Sequence, residues 1–290
     1  MRYRFTGAVV AMTLAAAVSL TVAPTAQQGR GNAPAAPAAG QGRGAAARPA
    51  TIAGHPNFNG VWQAIGSAHW NLEDHSAAAA GPANAPFWQL GAMFAIPAGQ
   101  SVIVGGGTIP YLPAGLKKRE ENMKGWPKSD PEAKCYMAGI PRSTYMPYPF
   151  QIVQGQKDIL FVYEYASSNR IVHMDKPSEP PVDSWMGWSN GKWDGNTLVI
   201  EVTGNNDQTW FDRSGNHHSD ALKVTERYTL AGDNHINYEA TIEDAKTFSK
   251  PWQIRMPLYR RMEQNAQLLE YKCVEFSEEL LYGDLKKKTE

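Results

Sequence analysis

Apolar and polar residues alternate along most of the chain after Pro149, which is the pattern of strands buried on one face. In Leu222–Leu230, every second residue from Leu222 shares a face with Val224, Glu226 and Tyr228. Such segments are rich in β-branched and aromatic residues, which favour strands. The predicted strands are Phe58–Trp62, Ile159–Tyr165, Arg170–Met174, Thr197–Thr203, Leu222–Leu230, His235–Glu243, Trp252–Tyr259 and Gln267–Phe276.

Short turn signals such as Asp194-Gly195-Asn196 separate these segments and leave no room for crossover helices. Consecutive strands joined in this way are antiparallel neighbours, and a meander hides its edges most simply by closing. The sequence therefore predicts a mostly β protein, an antiparallel meander closing into a lipocalin-like barrel. It also predicts an irregular N-terminal segment, a helix at Pro113–Met123 and a short charged C-terminal helix at Ser277–Lys288.

The first residues have the order of a secretory signal: Arg2 and Arg4, the apolar run Gly7–Val22, and small residues at 23–26. The run is shorter than the ~20 residues that a membrane span needs, which argues against the alternative of an anchor. Residues 27–50 are rich in Ala, Gly, Pro and Gln and predict a disordered linker. We therefore predict a signal peptide at 1–26, a linker at 27–50, one domain at 51–290, and a periplasmic or secreted location.

Charge and cysteine content narrow the function classes. Lys and Arg together number 28, as do Asp and Glu, so no basic excess indicates nucleic-acid binding. In an oxidising compartment Cys135 and Cys273 can pair, and the alternative is two separate buried thiols. The chain has no phosphate loop, dinucleotide glycine pattern or nucleophile elbow, so we expect no cofactor.

Two resemblances add to this interpretation. Gly60-Val61-Trp62 on the first strand resembles the Gly-x-Trp that opens lipocalin and calycin barrels, where the Trp closes one end. The stretch Cys135–Trp252 resembles a group of exported, uncharacterised proteins of environmental bacteria; this resemblance implies export and no particular activity. The motifs that carry it are Gly139-Ile140-Pro141-Arg142, Tyr148-Pro149-Phe150-Gln151, Tyr163-Glu164-Tyr165, Trp193–Leu198, His218–Leu222 and Glu226-Arg227.

The densest polar segment, Asn205–Asp220, lies between two predicted strands and holds carboxylates, two imidazoles and a Trp. Such a loop at a barrel mouth can supply acid–base groups, and the alternative is a polar loop whose Asp and Ser residues cap turns. No His spacing typical of zinc sites occurs, so we expect no metal. The candidate catalytic residues are His217, His218, Asp212 and Glu226.

Glu226 occupies the apolar face of its strand, so inside a barrel it needs a cationic partner or a raised pKa. Arg170 and Arg255 are the candidate partners, and Glu164 poses the same question on its own strand. An interior ion pair of purely structural function is the alternative to a catalytic acid.

Aromatic residues near Asp and Asn suit sugars or flat aromatic ligands, although core packing accounts for part of them. The predicted function is an exported small-molecule-binding barrel with a Trp/Tyr-lined pocket. The alternatives are a cofactor-free hydrolase, lyase or isomerase that uses His217 or His218 with a carboxylate, and a structural envelope protein. The predicted ligand-binding residues are Asp207, Trp210, Arg170, His173, Tyr148, Trp185 and Trp188.

Overall fold

Strands dominate the part of the chain that the structure, a computed structural model, describes, namely residues 48–78 and 95–274. The predicted signal peptide, nearly all of the predicted linker and the predicted helix at Ser277–Lys288 lie outside these residues. A two-stranded hairpin, β1 (Thr51–Ile52) and β2 (His55–Pro56), comes first. The barrel strands are β3 (Gly60–Ala64), β4 (Phe150–Gln154), β5 (Asp158–Tyr163), β6 (Asn169–His173), β7 (Trp188–Asp194), β8 (Thr197–Thr203), β9 (Lys223–Leu230), β10 (His235–Glu243) and β11 (Trp252–Arg260).

Within the described residues, nine strands in chain order close into a barrel, with β11 pairing back onto β3. The predicted closed barrel is confirmed, but it is not wholly antiparallel, because β6 and β7 are parallel. A ring in which all neighbours are antiparallel needs an even number of strands, so nine strands require a parallel pair. Residues 174–187 make this parallel connection without a helix, so the predicted antiparallel pairing of all consecutive strands is wrong at β6 and β7.

Large side chains fill the barrel interior. Glu226 lies on the interior face of β9 between Val224 and Tyr228, as the alternation predicted, and all three side chains are fully buried. Interior residues on other strands are mostly aromatic or branched, which gives the dense packing typical of protein cores. They include Trp62, Phe150, Ile152, Ile159, Phe161, Tyr163, Val172, Leu198, Ile200, Val202, Ile236, Tyr238, Ala240, Ile242, Ile254 and Leu258.

The two ends of the barrel differ. At the end where β3 begins, Trp62 is fully buried, with the Arg260 guanidinium 4.0 Å from its ring centroid. At the opposite end, where β3 finishes and β9 begins, long connections cover the barrel; we call it the loop end. The helices of these connections are α1 (Pro113–Gly125), α2 (Arg142–Tyr145) and a 3-10 helix at Pro131–Lys134.

Helix α1 confirms the helix predicted at Pro113–Met123 and extends it to Gly125. It begins with proline, whose fixed φ suits the first helical turn. The helix packs against the 205–220 loop, where Asn122 Nδ2 donates to the Gly215 carbonyl at 3.1 Å. Gly215 has φ +79°, and an added Cβ would lie 2.8 Å from the Arg119 carbonyl oxygen. Only glycine fits at this close approach of loop and helix.

Cys135 and Cys273 form a disulfide with their Cα atoms 5.7 Å apart, which confirms the predicted pairing. The strand predicted at Gln267–Phe276 is wrong over its described residues, which contain no regular strand. This segment is held by the Cys135–Cys273 disulfide and by a hydrogen bond from the Leu269 amide to the Glu164 side chain at 2.8 Å, and not by pairing with a strand. Glu164 therefore lies at the surface, outside the barrel interior. None of the helices in the described ranges has the length and apolar character needed to cross a membrane.

Candidate functional site

Among the described residues, an ion pair inside the barrel joins Glu226 on β9 to Arg170 on β6. Arg170 Nη1 lies 2.7 Å from Glu226 Oε2, and both side chains are at most 3% exposed. Arg170 is thus the interior partner, whereas Arg255 pairs with Glu239 on the barrel exterior at 2.6 Å. Burial opposes the charge on Arg170, but Glu226 and nearby tyrosines raise its pKa well above the ordinary value.

Tyrosine hydroxyls complete this cluster. Tyr228 and Tyr238 both donate to Glu226 Oε1, at 2.9 and 2.8 Å. Arg170 donates to Ser189 Oγ at 3.3 Å and to the Tyr228 hydroxyl at 3.2 Å. Glu226 is therefore held by partners from several strands. The geometry is that of a structural ion pair, which was the alternative to a catalytic acid.

Asp212 organises the 205–220 loop from a fully buried position. Its Oδ2 accepts from the Leu72 amide at 2.9 Å and from Asn216 Nδ2 at 2.7 Å, and its Oδ1 accepts from the Ser214 amide at 2.9 Å. Burial raises its pKa to about 6, against the lowering effect of Asn216 and Leu72. These contacts are those of a turn-forming aspartate, which was the alternative to a catalytic acid.

His218 is 3% exposed, and both of its ring nitrogens are occupied. Nδ1 lies 2.9 Å from the Ser219 carbonyl oxygen, and Nε2 lies 2.6 Å from Thr209 Oγ1. A carbonyl only accepts, so Nδ1 carries the proton and Nε2 accepts from the threonine hydroxyl. Burial lowers the pKa of His218, which keeps this neutral form at physiological pH.

His217 points elsewhere, as expected for adjacent residues in an extended chain. Its ring stacks on Tyr111 at 5.5 Å, and its backbone amide donates to the Tyr111 hydroxyl at 3.0 Å. Burial lowers the pKa of His217 to about 4, and the nearby His218 adds to this effect. Neither imidazole is hydrogen-bonded to a carboxylate in the described part of the chain, so the predicted histidine–carboxylate pair is not assembled.

Three of the predicted ligand-binding residues, Trp185, Asp207 and Trp210, line one groove of about 390 Å³ at the loop end. Its other walls come from helix α1, the 3-10 helix and the residues beside it. We call it the polar groove, and its remaining lining residues are Lys118, Glu121, Asn122, Ser129, Pro131, Lys134, Tyr136 and Gln208. Tyr136 and Trp185 face each other with ring centroids 4.8 Å apart and planes inclined by 42°.

A buried charge network supports the wall that carries Pro131 and Lys134. Arg142 pairs with Asp130 at 3.1 Å and with Glu132 at 2.6 Å, and Arg213 Nε donates to Glu132 at 2.8 Å. Burial opposes ionisation of Glu132, but Arg213 and Arg142 bring its pKa down to about 2. Two guanidinium and two carboxylate groups balance in charge, which permits their burial together. The network fixes the position of the 3-10 helix relative to the 205–220 loop.

The remaining predicted ligand-binding residues do not join the polar groove. Arg170 lies inside the barrel. His173 and Trp188 stack on each other at 4.3 Å where β6 and β7 run parallel. Tyr148 packs against Tyr165 and Tyr271 with centroids 5.5 and 5.3 Å away. One ion pair and two separate aromatic contacts thus hold these residues, so the predicted set divides among different parts of the molecule.

Sequence reasoning missed the groove residues on helix α1 and around the 3-10 helix. One usable signal was present: α1 carries charged residues all round, yet it buries Gly115 and Asn122. A polar helix packed by its small and amide residues leaves its lysines and glutamates available to a neighbouring groove. Arg142 was quoted only within a family resemblance, although an arginine beside Ile140-Pro141 in an apolar segment needs a buried partner.

Within residues 48–78 and 95–274, no group of three or more His, Cys, Asp or Glu side chains is arranged to hold a metal ion. Comparisons with known proteins give no further assignment. No family model, curated protein or solved structure matches the chain. The polar groove and the chemistry of its lining therefore carry the functional argument.

Proposed function

We propose that this protein is an exported small-molecule-binding β-barrel protein, and that its ligand lies in the polar groove. The observation that carries the proposal is the convergence of Trp185, Asp207 and Trp210 on that groove. They come from the β6–β7 crossover and the β8–β9 connection, and they join Tyr136 from a third segment. A volume of about 390 Å³ falls in the range of small-molecule sites, roughly 300–1,000 Å³.

The aromatic lining favours a flat ligand ring or the apolar face of a sugar. Tyr136 and Trp185 are inclined to each other, so one ring can stack on a ligand while the other contacts its edge. Tyr and Trp combine a large apolar surface with a polar tip. An aromatic compound or a carbohydrate therefore remains the proposed ligand class.

The charged lining favours a ligand with hydrogen-bonding groups. Lys118, Lys134, Glu121 and Asp207 surround the groove, and none of them forms an ion pair or side-chain hydrogen bond with another described residue. Their charges balance, so the groove does not select for a strongly charged molecule. Hydroxyl groups of a sugar or a phenol can engage both signs, which fits the proposed class.

A binding role is better supported than the acid–base enzyme, because the candidate catalytic groups have other partners. Glu226 pairs with Arg170, Asp212 accepts from loop amides, and His218 is held by Thr209 and Ser219. None of these side chains lines the polar groove. Export is part of the proposal and is supported by the disulfide, which persists in oxidising compartments.

The test is isothermal titration calorimetry with 4-nitrophenyl β-glucoside, which carries both a sugar and a flat aromatic ring. Methyl β-glucoside and 4-nitrophenol are titrated separately to assign the contributing part. Trp185→Ala should weaken binding at least ~5-fold, because an aromatic contact contributes about 0.5–1.5 kcal/mol beyond its buried area. Asp207→Asn should weaken binding of the glucoside and leave the melting temperature within about 1 °C, since surface substitutions change stability little.

Trp188→Ala is the matched control, because it removes a side chain of the same type three residues further on, at the start of β7 and outside the groove, where it stacks on His173. Unchanged affinity in this variant, with loss in Trp185→Ala, supports the groove. Equal loss in both variants, or binding that survives Trp185→Ala and Asp207→Asn together, would refute the proposed site.

A further inference from the structure

Ser67 lines a second cleft on the barrel, away from the polar groove, and His75 lies beside it across the space at Gly99. We propose that Ser67 is a nucleophile and His75 its general base, and that the pair hydrolyses small carboxylic esters with an apolar acyl group. This activity goes beyond ligand binding and uses none of the residues of the polar groove.

His75 is held in the orientation of a base. Its Nδ1 lies 2.8 Å from the Glu73 carbonyl oxygen, so Nδ1 carries the proton and Nε2 presents a lone pair. Nε2 is buried and has no hydrogen-bond partner in the described part of the chain. A buried, unpartnered nitrogen is uncommon in native proteins, and a catalytic function is one of its recognised explanations.

Gly99 lies between the serine and this nitrogen. Gly99 and His75 exchange two backbone hydrogen bonds, at 2.9 and 3.0 Å, which fixes their relative position. An added Cβ on Gly99 would lie 2.0 Å from Ser67 Oγ and 2.7 Å from His75 Nε2. The hydroxyl and the imidazole therefore flank the same small space, which only glycine leaves open. A serine side chain has three staggered χ1 positions, and hydrogen bonds of catalytic pairs often tighten only when substrate binds.

Ser67 and Gly99 line a cleft of about 510 Å³, which we call the apolar cleft. Its walls are largely hydrocarbon, which suits an acyl chain and excludes a highly polar one. Arg255 also lines this cleft, with its guanidinium paired to Glu239 at 2.6 Å. The apolar walls are Ile65, Ala68, Pro97, Val102, Met256 and Pro257.

The reaction balances without a cofactor. Ser67 Oγ forms a bond to the ester carbonyl carbon while its proton passes to His75 Nε2. The bond to the alcohol oxygen then breaks, and the alcohol leaves with that proton. Water, deprotonated by Nε2, attacks the acyl-serine, and the carboxylic acid is released as the serine regains its proton. The base is oriented by the Glu73 carbonyl, so nucleophile, base and orienting group are all present.

The pair is tested with a fluorophosphonate probe and with 4-nitrophenyl butyrate, using the full-length mature protein. We expect the probe to modify Ser67, as located by peptide mass spectrometry, and the butyrate to be hydrolysed above the solvent rate. Ser67→Ala should abolish both readouts, and His75→Gln should slow both by ~10²–10⁴-fold, the usual contribution of a general base.

Gly99→Ala provides a variant in which both Ser67 and His75 are retained. Its methyl group would occupy the space between them, so labelling should fall at least ~10-fold. The matched control is Ser101→Ala, because Ser101 lines the same cleft with its hydroxyl held by the Leu72 carbonyl at 3.2 Å. Melting temperatures confirm that each variant is folded.

Labelling at Ser67 that depends on His75 and Gly99, and not on Ser101, supports the pair. Absence of labelling and of turnover in the folded wild-type protein overturns it, as does labelling at any other serine. Failure of this test leaves the proposed function untouched, because no residue of the polar groove is altered.

Discussion

Glu226→Gln tests whether the interior ion pair maintains the barrel. The substitution keeps the shape of the side chain and leaves an Oε1 acceptor for Tyr228 and Tyr238, but it removes the charge and replaces Oε2, the acceptor that faces Arg170, with an amide donor. Arg170 is then left charged with 3% of its side chain exposed, paired only with neutral hydroxyls. Breaking a buried ion pair from one side costs about 3–5 kcal/mol, because the remaining charge has neither water nor a counter-ion.

Arg170→Met in the same background should restore much of this loss. The double variant lacks both charges of this pair. Methionine fills the space beside the Phe161 ring, whose centroid lies 4.7 Å from the Arg170 guanidinium carbon in the wild-type protein. Replacing a whole buried ion pair by groups of similar volume is often neutral in stability. We expect the double variant to be at least ~2 kcal/mol more stable than Glu226→Gln alone, which is a strong coupling.

The assay is urea unfolding at neutral pH with the disulfide intact, followed by fluorescence and far-ultraviolet circular dichroism. Coincident transitions establish that the free energies of unfolding can be compared. Tyr238→Phe is the control, since it removes one hydrogen bond to Glu226 and should cost only about 0.5–1.5 kcal/mol. A loss below ~1 kcal/mol in Glu226→Gln, or additive effects of the two substitutions, would contradict the reasoning.

Two further predictions concern acid stability and export. Burial lowers the pKa of His69 to about 3, and Arg213 adds to this effect. Because the unfolded value is 6.5, the neutral imidazole contributes its full share of the free energy of unfolding above pH 6.5, and this share is lost as the pH falls towards 3. In urea unfolding at several pH values, His69→Gln should reduce the slope of unfolding free energy against pH by up to about 1.4 kcal/mol per pH unit. His235→Gln, at an exposed position, should keep the wild-type slope. The same slope in wild type and in His69→Gln would disprove the prediction. Export predicts a native N-terminus between about residues 22 and 30 by intact mass spectrometry, and a soluble protein retaining Met1 would rule it out.

Alternation along the chain was enough to predict the later strands. Strands β8 and β10 match their predicted bounds, and Glu226 lies on the face that its position in β9 required. Strand β7 was missed because Trp188–Asp194 contains Asn and Gly and has no β-branched residue. Its pairing with β6 is set by tertiary packing, which local propensity does not report.

The parallel pair could not be predicted from short-range patterns. Adding the two missed strands, β4 and β7, and removing the wrong one at Gln267–Phe276 turns the eight predicted strands into nine, an odd total that requires an exception to antiparallel pairing. The predicted last strand at Gln267–Phe276 alternated convincingly, but β11 already pairs with both β10 and β3. A segment with strand composition has no place in a closed ring whose edges are all occupied, so the disulfide holds it instead.

The candidate site was predicted only in part, for a physical reason. Aromatic and acidic residues in long connections indicate a pocket, and Trp185, Asp207 and Trp210 do share one. Which polar residue faces the groove and which is turned inwards depends on loop packing. Asp207 lines the groove while Asp212, five positions on, is fully buried in a turn, and no periodicity in the sequence distinguishes them.

The large interior side chains explain why the polar groove and the apolar cleft both lie outside the barrel interior. Trp62, Phe161, Tyr163 and Tyr228 meet within it, with no exposed surface or almost none, and Glu226 and Arg170 neutralise each other between them. A carrier that encloses its ligand needs small interior side chains or an unpaired polar group facing a cavity. Under the proposed function the barrel is a rigid frame and the connections at the loop end recognise the ligand, since residues there can change without disturbing the core.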